Sequence, residues 1–465
     1  MVSRITFIFP WKPITRRSGS RLAQFRFAPP ESCIHHIHGN MSHQEHIKNQ
    51  VFCRIFIVLF LLPGAIRSHL AAQPADRVVK QEIEAGNILG AVLMAGTPDT
   101  ILFHEAYGER DTGKPMVKNC IFDISSVTKP TMTGTSLAIL LSRDKLALDD
   151  LLSQHLPAFT GPGSGEVTIR QTATHTSGIN NRKILAKTHK GERLIRAIME
   201  YDTSWAPGTK YQYSCLNFIR LSEMIARVTG MPFEKFCQQD IFEPLELNDT
   251  RFGPVTGPDL LRRTVRTTAP PGQIQDPNAR KSGRPVGNAG LFTTAADLSR
   301  IAVLWLQEGE INGQRIFDEA VCDTMIRRNT PLAPRGIAWA LNDHSFCPPE
   351  LSPRTYYHTG YNGHALCIDP ETKTFYIVLT VWKHPAIKAS YKEGRKARSR
   401  ILSALARSIG QGESVTGPPL SPEKSGKKPL SSLHRGVSPG NNAARGSERP
   451  GTPDRTRTGK PGGCE

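Results

Sequence analysis

Strand-like patterns stand at both ends of one continuous stretch, residues 75–410, and helix-like patterns fill the space between them. Near its start, residues 89–94 and 101–106 are short apolar runs on either side of a turn at Gly96–Pro98. Near its end, residues 336–343, 356–359, 365–369 and 374–381 read as strands joined by hairpin turns, and a helix predicted over 392–409 closes the unit. In between, Met132, Leu137, Leu140 and Leu141 fall on one face of a helix predicted over 127–143, and a second helix is predicted over 216–228. Strands so far apart share one core most simply if the two ends meet in an antiparallel sheet. The expectation is an α/β fold of the α+β type, with an α-rich insertion between the halves of the sheet.

The flanks read differently. Residues 411–465 are rich in Pro, Gly, Ser and Arg and nearly free of large apolar side chains. Such a segment buries too little surface to offset chain entropy, so it is expected to be a disordered basic tail. The run IFIVLFLLPGAI at residues 55–66 lies near Lys48 and Arg54 and precedes Ala71 and Ala72, the layout of a signal peptide. Arg54 and Pro63 make it too short and broken for a spanning helix, although an uncleaved segment would attach the protein to a membrane. Met41 stands where such a leader would start. Residues 1–40 are therefore read as an over-extended start and 41–72 as signal peptide or membrane anchor. The protein is expected to be exported, periplasmic or secreted. A histidine-rich tract (His35, His36, His38, His43, His46) looks metal-binding but would leave with the leader.

The net charge of +18 first suggests nucleic acid, but its placement argues otherwise. Residues 1–72 carry +7 and residues 411–465 carry +4, and the long middle shows no basic helix or aromatic-interleaved patch. Nucleic-acid binding is not expected. The nine cysteines form no C-x-x-C pair, and no H-E-x-x-H cluster exists, so neither a metal nor another cofactor is expected. The six cysteines of the middle region could pair in an oxidising compartment, with no pairing favoured.

Chemistry enters at Ser126-Val127-Thr128-Lys129. On a helix, positions three apart share a face, so the lysine amine reaches the serine hydroxyl and can take its proton. A serine at a helix N-terminus also faces free N–H groups and the positive dipole end. Pro130 suits a first helical turn, where its missing N–H costs no bond. Other S-x-x-K matches have poorer settings: Ser142 is at the far helix end, and Ser421 and Ser425 are in the tail. A G-x-S-x-G match at residues 436–440 has no preceding strand. Tyr213 follows a Pro-Gly turn and leads into a helix, a position from which a phenol can relay a proton. His358-Thr359-Gly360 stands just ahead of a strand-like run, where a sheet edge can align an extended substrate. Lys281-Ser282-Gly283 matches a K-S-G pattern as letters but has no strand behind it.

These three elements and their surroundings resemble the serine β-lactamase and penicillin-binding protein superfamily, in its class C, D,D-peptidase and esterase branch. The matching text is FDISSVTKP (122–130), KLALDDLLSQHLPAF (145–159), VTIRQTATHTSGI (167–179), PGTKYQYSCLNF (207–218), FEPLELNDT (242–250), GNAGLFTTAADLSRI (287–301) and YYHTGYNGHALCIDP (356–370). The resemblance implies an antiparallel sheet flanked by helices beside an all-helical lobe, with the site between them. It implies Ser126 as acylated nucleophile, Lys129 as proton acceptor and Tyr213 as second-motif base. Cys215, His358, Thr359, Gly360 and Tyr361 would contact substrate, and an oxyanion hole would come from backbone N–H of Ser126 and of Tyr361 or Asn362.

Two departures bear on substrate. The second motif is Tyr213-Ser214-Cys215 where the family usually has Tyr-x-Asn, and a thiol is a weak hydrogen-bonding partner. Asn217 lies four residues from Tyr213 and is no simple replacement. The third motif has His358 where β-lactamases carry Lys, and Gln275 and Asn288 stand where relatives often show His. The expected activity is acyl-enzyme hydrolysis of a small ester, amide or peptidoglycan-type substrate. The alternative is a non-catalytic binder of peptide or cell-wall fragments.

Overall fold

The computed structural model describes residues 73–161, 163–180 and 185–410. They belong to the second of two compact units, Pro63–Glu465. The leader, the histidine tract, and the C-terminal tail with Ser421 and Ser425 lie outside the described residues.

Among the described residues twelve strands follow in chain order: β1 (Gly90–Gly96), β2 (Ile101–Asp111), β3 (Lys114–Pro115), β4 (Phe122–Asp123), β5 (Arg251–Phe252), β6 (Leu291–Thr293), β7 (Glu310–Ile311), β8 (Gln314–Arg315), β9 (Ala340–Leu341), β10 (Tyr356–Thr359), β11 (Ala365–Asp369) and β12 (Thr374–Thr380). Seven form one sheet in the order β3-β2-β1-β12-β11-β10-β9. Its central pairings are antiparallel, and β1 from the N-terminal half pairs with β12 from the C-terminal half through Ala91↔Thr380 to Gly96↔Phe375. The expected antiparallel sheet built from both ends is therefore the observed one. β1 and β12 are buried throughout, as central strands covered on both faces must be.

The two faces are covered by different helices. On the outer face lie α1 (Gln73–Glu84) and the last helix, Tyr391–Gly410, locked together by Glu82 and Arg400 at 2.5 Å. Ala75, Val79, Ile401, Leu402 and Leu405 fill that layer with alternate residues of β1 and β12. On the inner face Ala295–Leu306 packs, with Leu298, Ile301 and Trp305 fully buried. A helical lobe follows from this core, and its central helix Cys215–Thr229 ends on Gly230 at φ +70. That glycine takes the left-handed conformation a helix C-terminus favours.

Three expectations need correction. The helix α1 has no counterpart in the sequence reading. The strand expected over 336–343 shrinks to Ala340–Leu341, because Gly336 closes a turn on Trp339 O and Ala338 sits at φ +66. A left-handed residue cannot continue a strand. The single helix expected over 127–143 is three pieces: a 3₁₀ turn at Ser125–Val127, a wide π-helical turn at Lys129–Gly134, and an α-helix at Thr135–Ser142. Pro130 brings no N–H to the ladder, and Thr131 turns its hydroxyl back to Val127 O at 2.7 Å. Of the cysteines, Cys347 and Cys367 meet in the outer layer, both buried. Cys237 instead contacts Ser136, and Cys120 takes the Val117 N–H.

Candidate active site

Strain precedes Ser126. Ser125 lies at φ +51, a region that residues bearing a Cβ avoid. Buried Asp123, on β4, holds it there. Its Oδ1 accepts the Ser125 N–H at 2.9 Å and its Oδ2 accepts the Gln275 N–H at 2.8 Å. The same residue's backbone carbonyl accepts from Asn362 Nδ2 at 3.1 Å and His364 Nε2 at 2.9 Å. Asp123 thus ties the turn bearing Ser126 to the turn after β10. Burial pushes its carboxyl up to about 6, against the pull of the two N–H donors.

Gly360 completes that junction. A Cβ built on it would stand 2.6 Å from Ile124 O, so only glycine lets the end of β10 close on the Ser126 turn. Buried Arg398 of the last helix reaches the Gly360 and His364 carbonyls from behind, each at 3.3 Å.

Lys129 is fully buried, and its ammonium is 3.0 Å from Ser126 Oγ, 2.8 Å from Asn288 O and 3.6 Å from Cys215 Sγ. It also lies 5.1 Å from the Tyr213 ring centre. The structure therefore brings together Ser126, Lys129, Tyr213 and Cys215. Asn217 points elsewhere and accepts the Ser177 hydroxyl at 2.8 Å, as its spacing implied. The acceptor that spacing did not reveal is the Asn288 carbonyl, in a loop far along the chain.

Burial disfavours the Lys129 ammonium, but Cys215 and Tyr213 outweigh it and hold its pKa above the usual lysine value. Burial drives the Tyr213 phenol up to about 12 despite Lys129. Tyr213 packs on the buried His175 ring at 4.4 Å, and His175 Nδ1 accepts the Ser214 N–H at 3.1 Å. This contact orients the second motif. Its only trace in the sequence was His175 within THTSG.

On the third motif, β9 pairs only with Tyr356 and Tyr357, which leaves His358 and Thr359 as free sheet edge. His358 Nδ1 lies 2.9 Å from Thr359 O, while its Nε2 is buried without a partner. Burial, then Lys129 and Arg335, push its pKa well below the usual value, so the imidazole is neutral. Tyr361 stacks on Tyr391 at 5.8 Å, and its carbonyl takes the Trp382 indole N–H at 2.6 Å. Lys281 of the rival K-S-G match is spent on Ala186 O at 2.8 Å, away from Ser126. A cavity of about 550 Å³ beside Trp305 and Tyr356 does not include Ser126.

A helix-flanked antiparallel sheet, with Ser-x-x-Lys at its junction with a helical lobe, a tyrosine above the lysine and His-Thr-Gly on the sheet edge, defines the serine β-lactamase and penicillin-binding protein superfamily. A family model described as Beta-lactamase matches residues 75–398, and the chain belongs to that family. A Salmonella typhimurium (strain LT2) protein named "Putative D-alanyl-D-alanine carboxypeptidase" is 26% identical over 298 residues, covering 56% of this chain and 69% of that one. Among solved structures, EstCE1, described as a hydrolase with promiscuous acyltransferase activity, aligns with TM-score 0.59 and 22% identity over 72% of this chain and all of that one. A penicillin-binding protein homologue from Caulobacter crescentus aligns with TM-score 0.57 and 19% identity, covering 73% and 97%. These two share the fold.

Proposed function

We propose that this β-lactamase-family protein is a serine hydrolase that cleaves esters or small amides through an acyl-enzyme on Ser126. The observation that carries this reading is the 3.0 Å contact between Lys129 Nζ and Ser126 Oγ beside the strained Ser125. Ser126 Oγ attacks the acyl carbon while its proton passes to the Lys129–Tyr213 pair and on to the leaving oxygen or nitrogen. Water then cleaves the Ser126 ester, releases the acid and restores the hydroxyl. The oxyanion would face the backbone N–H of Ser126 and of Tyr361 or Asn362. Cys215, His358, Thr359, Gly360 and Tyr361 would line the substrate cleft.

In the resting site both Lys129 and Tyr213 are protonated at neutral pH, so the proton-accepting form is a minority that grows as pH rises. The alkaline side of the kcat/KM profile should therefore climb. The acid side should carry Asp123. Its folded pKa of about 6 exceeds the free-carboxyl value of about 4, so folding takes up a proton and stability falls as pH rises through that window. Activity should run the opposite way, because the charged carboxylate best holds the Ser125 and Gln275 N–H groups. Asp123→Asn should lower kcat and remove the acid limb near pH 6; an unchanged limb would assign it to another group.

Cys215 in place of the usual amide favours esters over amides. Cys215→Asn should raise the amide-to-ester ratio of kcat/KM about tenfold, the order of one neutral-to-charged hydrogen bond. An unchanged ratio would mean that Cys215 does not face substrate. Export to the periplasm or cell exterior, with or without membrane attachment, fits a cell-wall or environmental substrate. The decisive experiment treats purified protein with a fluorescent penicillin, a fluorophosphonate and p-nitrophenyl butyrate and locates adducts by mass. An adduct on Ser126 with turnover supports the hydrolase. Folded protein giving neither would favour the binding protein.

A further inference from the structure

Six cysteines lie among the described residues, all buried, and their spacing along the chain pairs none of them. Four have other partners. Cys215 faces the Lys129 ammonium, Cys237 contacts Ser136, Cys322 turns to Trp305 O and Cys120 takes the Val117 N–H. Cys347 and Cys367 meet each other, close enough for their thiols to share a hydrogen bond.

The chain between β9 and β10, residues 342–355, builds that meeting. It has no regular secondary structure and lies against β11 on the outer face of the sheet. Buried Asp369, the last residue of β11, takes the Ser352 N–H at 2.8 Å and the Ser352 hydroxyl at 2.6 Å. Cys367 stands two positions earlier on β11, so it shares a face with Asp369. Cys347 stands five positions before Ser352 and lies against that same face. A second contact agrees, independently of the sulfurs. Phe346 stacks on Tyr357 at 4.8 Å, and Tyr357 is the register partner of Cys367. Arg398 covers the Phe346 ring at 4.9 Å. The residue before Cys347 is therefore held on the residue opposite Cys367. Apart from the sulfurs, no hydrogen bond among the described residues ties 343–349 to the sheet, since His344 and Ser345 bond within the segment. A thiol pair alone fastens little, because S–H is a feeble donor.

We propose that Cys347 and Cys367 form a disulfide that fastens the 342–355 segment to β11, beside the strand carrying the third motif. The bond closes about 20 residues of chain. With glutathione disulfide as oxidant, the Cys347 thiolate, on the irregular segment, attacks one of its sulfurs and releases one glutathione. The Cys367 thiolate then attacks Cys347 Sγ and releases the second. Two S–H bonds are lost, one S–S bond forms, and two electrons and two protons end on two reduced glutathiones. The proposal goes beyond the hydrolase reading and does not depend on it.

The test holds the full chain in a couple of oxidised and reduced glutathione, starting once from folded reduced protein and once from the denatured chain. Remaining thiols are blocked with N-ethylmaleimide under denaturing conditions, and intact mass and peptide mapping locate the bond. The oxidised protein should take up two fewer N-ethylmaleimides than the reduced one and yield a peptide joining Cys347 to Cys367. Its melting temperature should exceed that of the reduced protein by about 3–6 °C. Cys347→Ser and Cys367→Ala should each remove the linked peptide and make the melt insensitive to reductant. Full blocking of Cys347 and Cys367 after both routes would overturn the proposal, as would pairing of either with another cysteine. A Cys347–Cys367 bond that leaves the melt unchanged would overturn the fastening role.

Discussion

Ser126→Ala should leave the protein folded, abolish labelling by penicillin and fluorophosphonate, and lower ester kcat/KM at least about a thousandfold. Ser126 is only half-buried, and its hydroxyl meets Lys129 and Tyr213 at the cleft. Its removal therefore disturbs little packing. The fold's own demands nearby fall on Asp123, Gly360 and Arg398, all of which the substitution leaves alone. Intact-mass analysis of labelled protein reads the first outcome and a thermal melt the second. An adduct surviving on another residue would move the nucleophile elsewhere. Loss of folding would make Ser126 a structural residue.

Lys129→Met should be nearly as damaging to activity, lowering kcat/KM about 100- to 1000-fold, and yet should lower the melting temperature by only a few degrees. The activity loss follows from removing the only ammonium in contact with Ser126 Oγ among the described residues. The stability outcome is decided by two opposing terms. Leaving the buried Asn288 carbonyl without its donor costs about 1–3 kcal/mol. Removing the fully buried ammonium recovers its desolvation penalty but also loses the Cys215 and Tyr213 interactions that outweigh it, while methionine fills a similar volume among Tyr213 and Phe218. The net is a modest loss, so the melt should fall by a few degrees. The loss of activity should far exceed the loss of stability, as expected for a functional group rather than a packing one. A large drop in melting temperature would mean that Lys129 chiefly braces the Asn288 loop.

The fold was legible where periodicity is strong. The runs at β1, β2, β11 and β12 and the helices Cys215–Thr229 and Tyr391–Gly410 lie close to where alternation and 3.6-residue spacing put them. It failed where a backbone conformation overrides the pattern, as at Ala338 and in the π-helical turn after Lys129. The helix α1 went unread because its apolar face, with Ala75 and Val79, is sparse and makes sense only against the last helix.

The sequence by itself determined the membership, the order of the three motifs and the reach of Lys129 to Ser126, because helical spacing over three residues is a local property. It also showed that Cys215 breaks the second motif. Only the tertiary structure decided what answers that break. The Asn288 carbonyl meets Lys129 across more than 150 residues of chain, and Asp123 links the Ser126 turn to Asn362 and His364 across more than 230. His175 packs on Tyr213 and accepts the Ser214 N–H from 39 residues earlier in the chain. Contacts between distant segments depend on which faces pack together, and no local pattern encodes them.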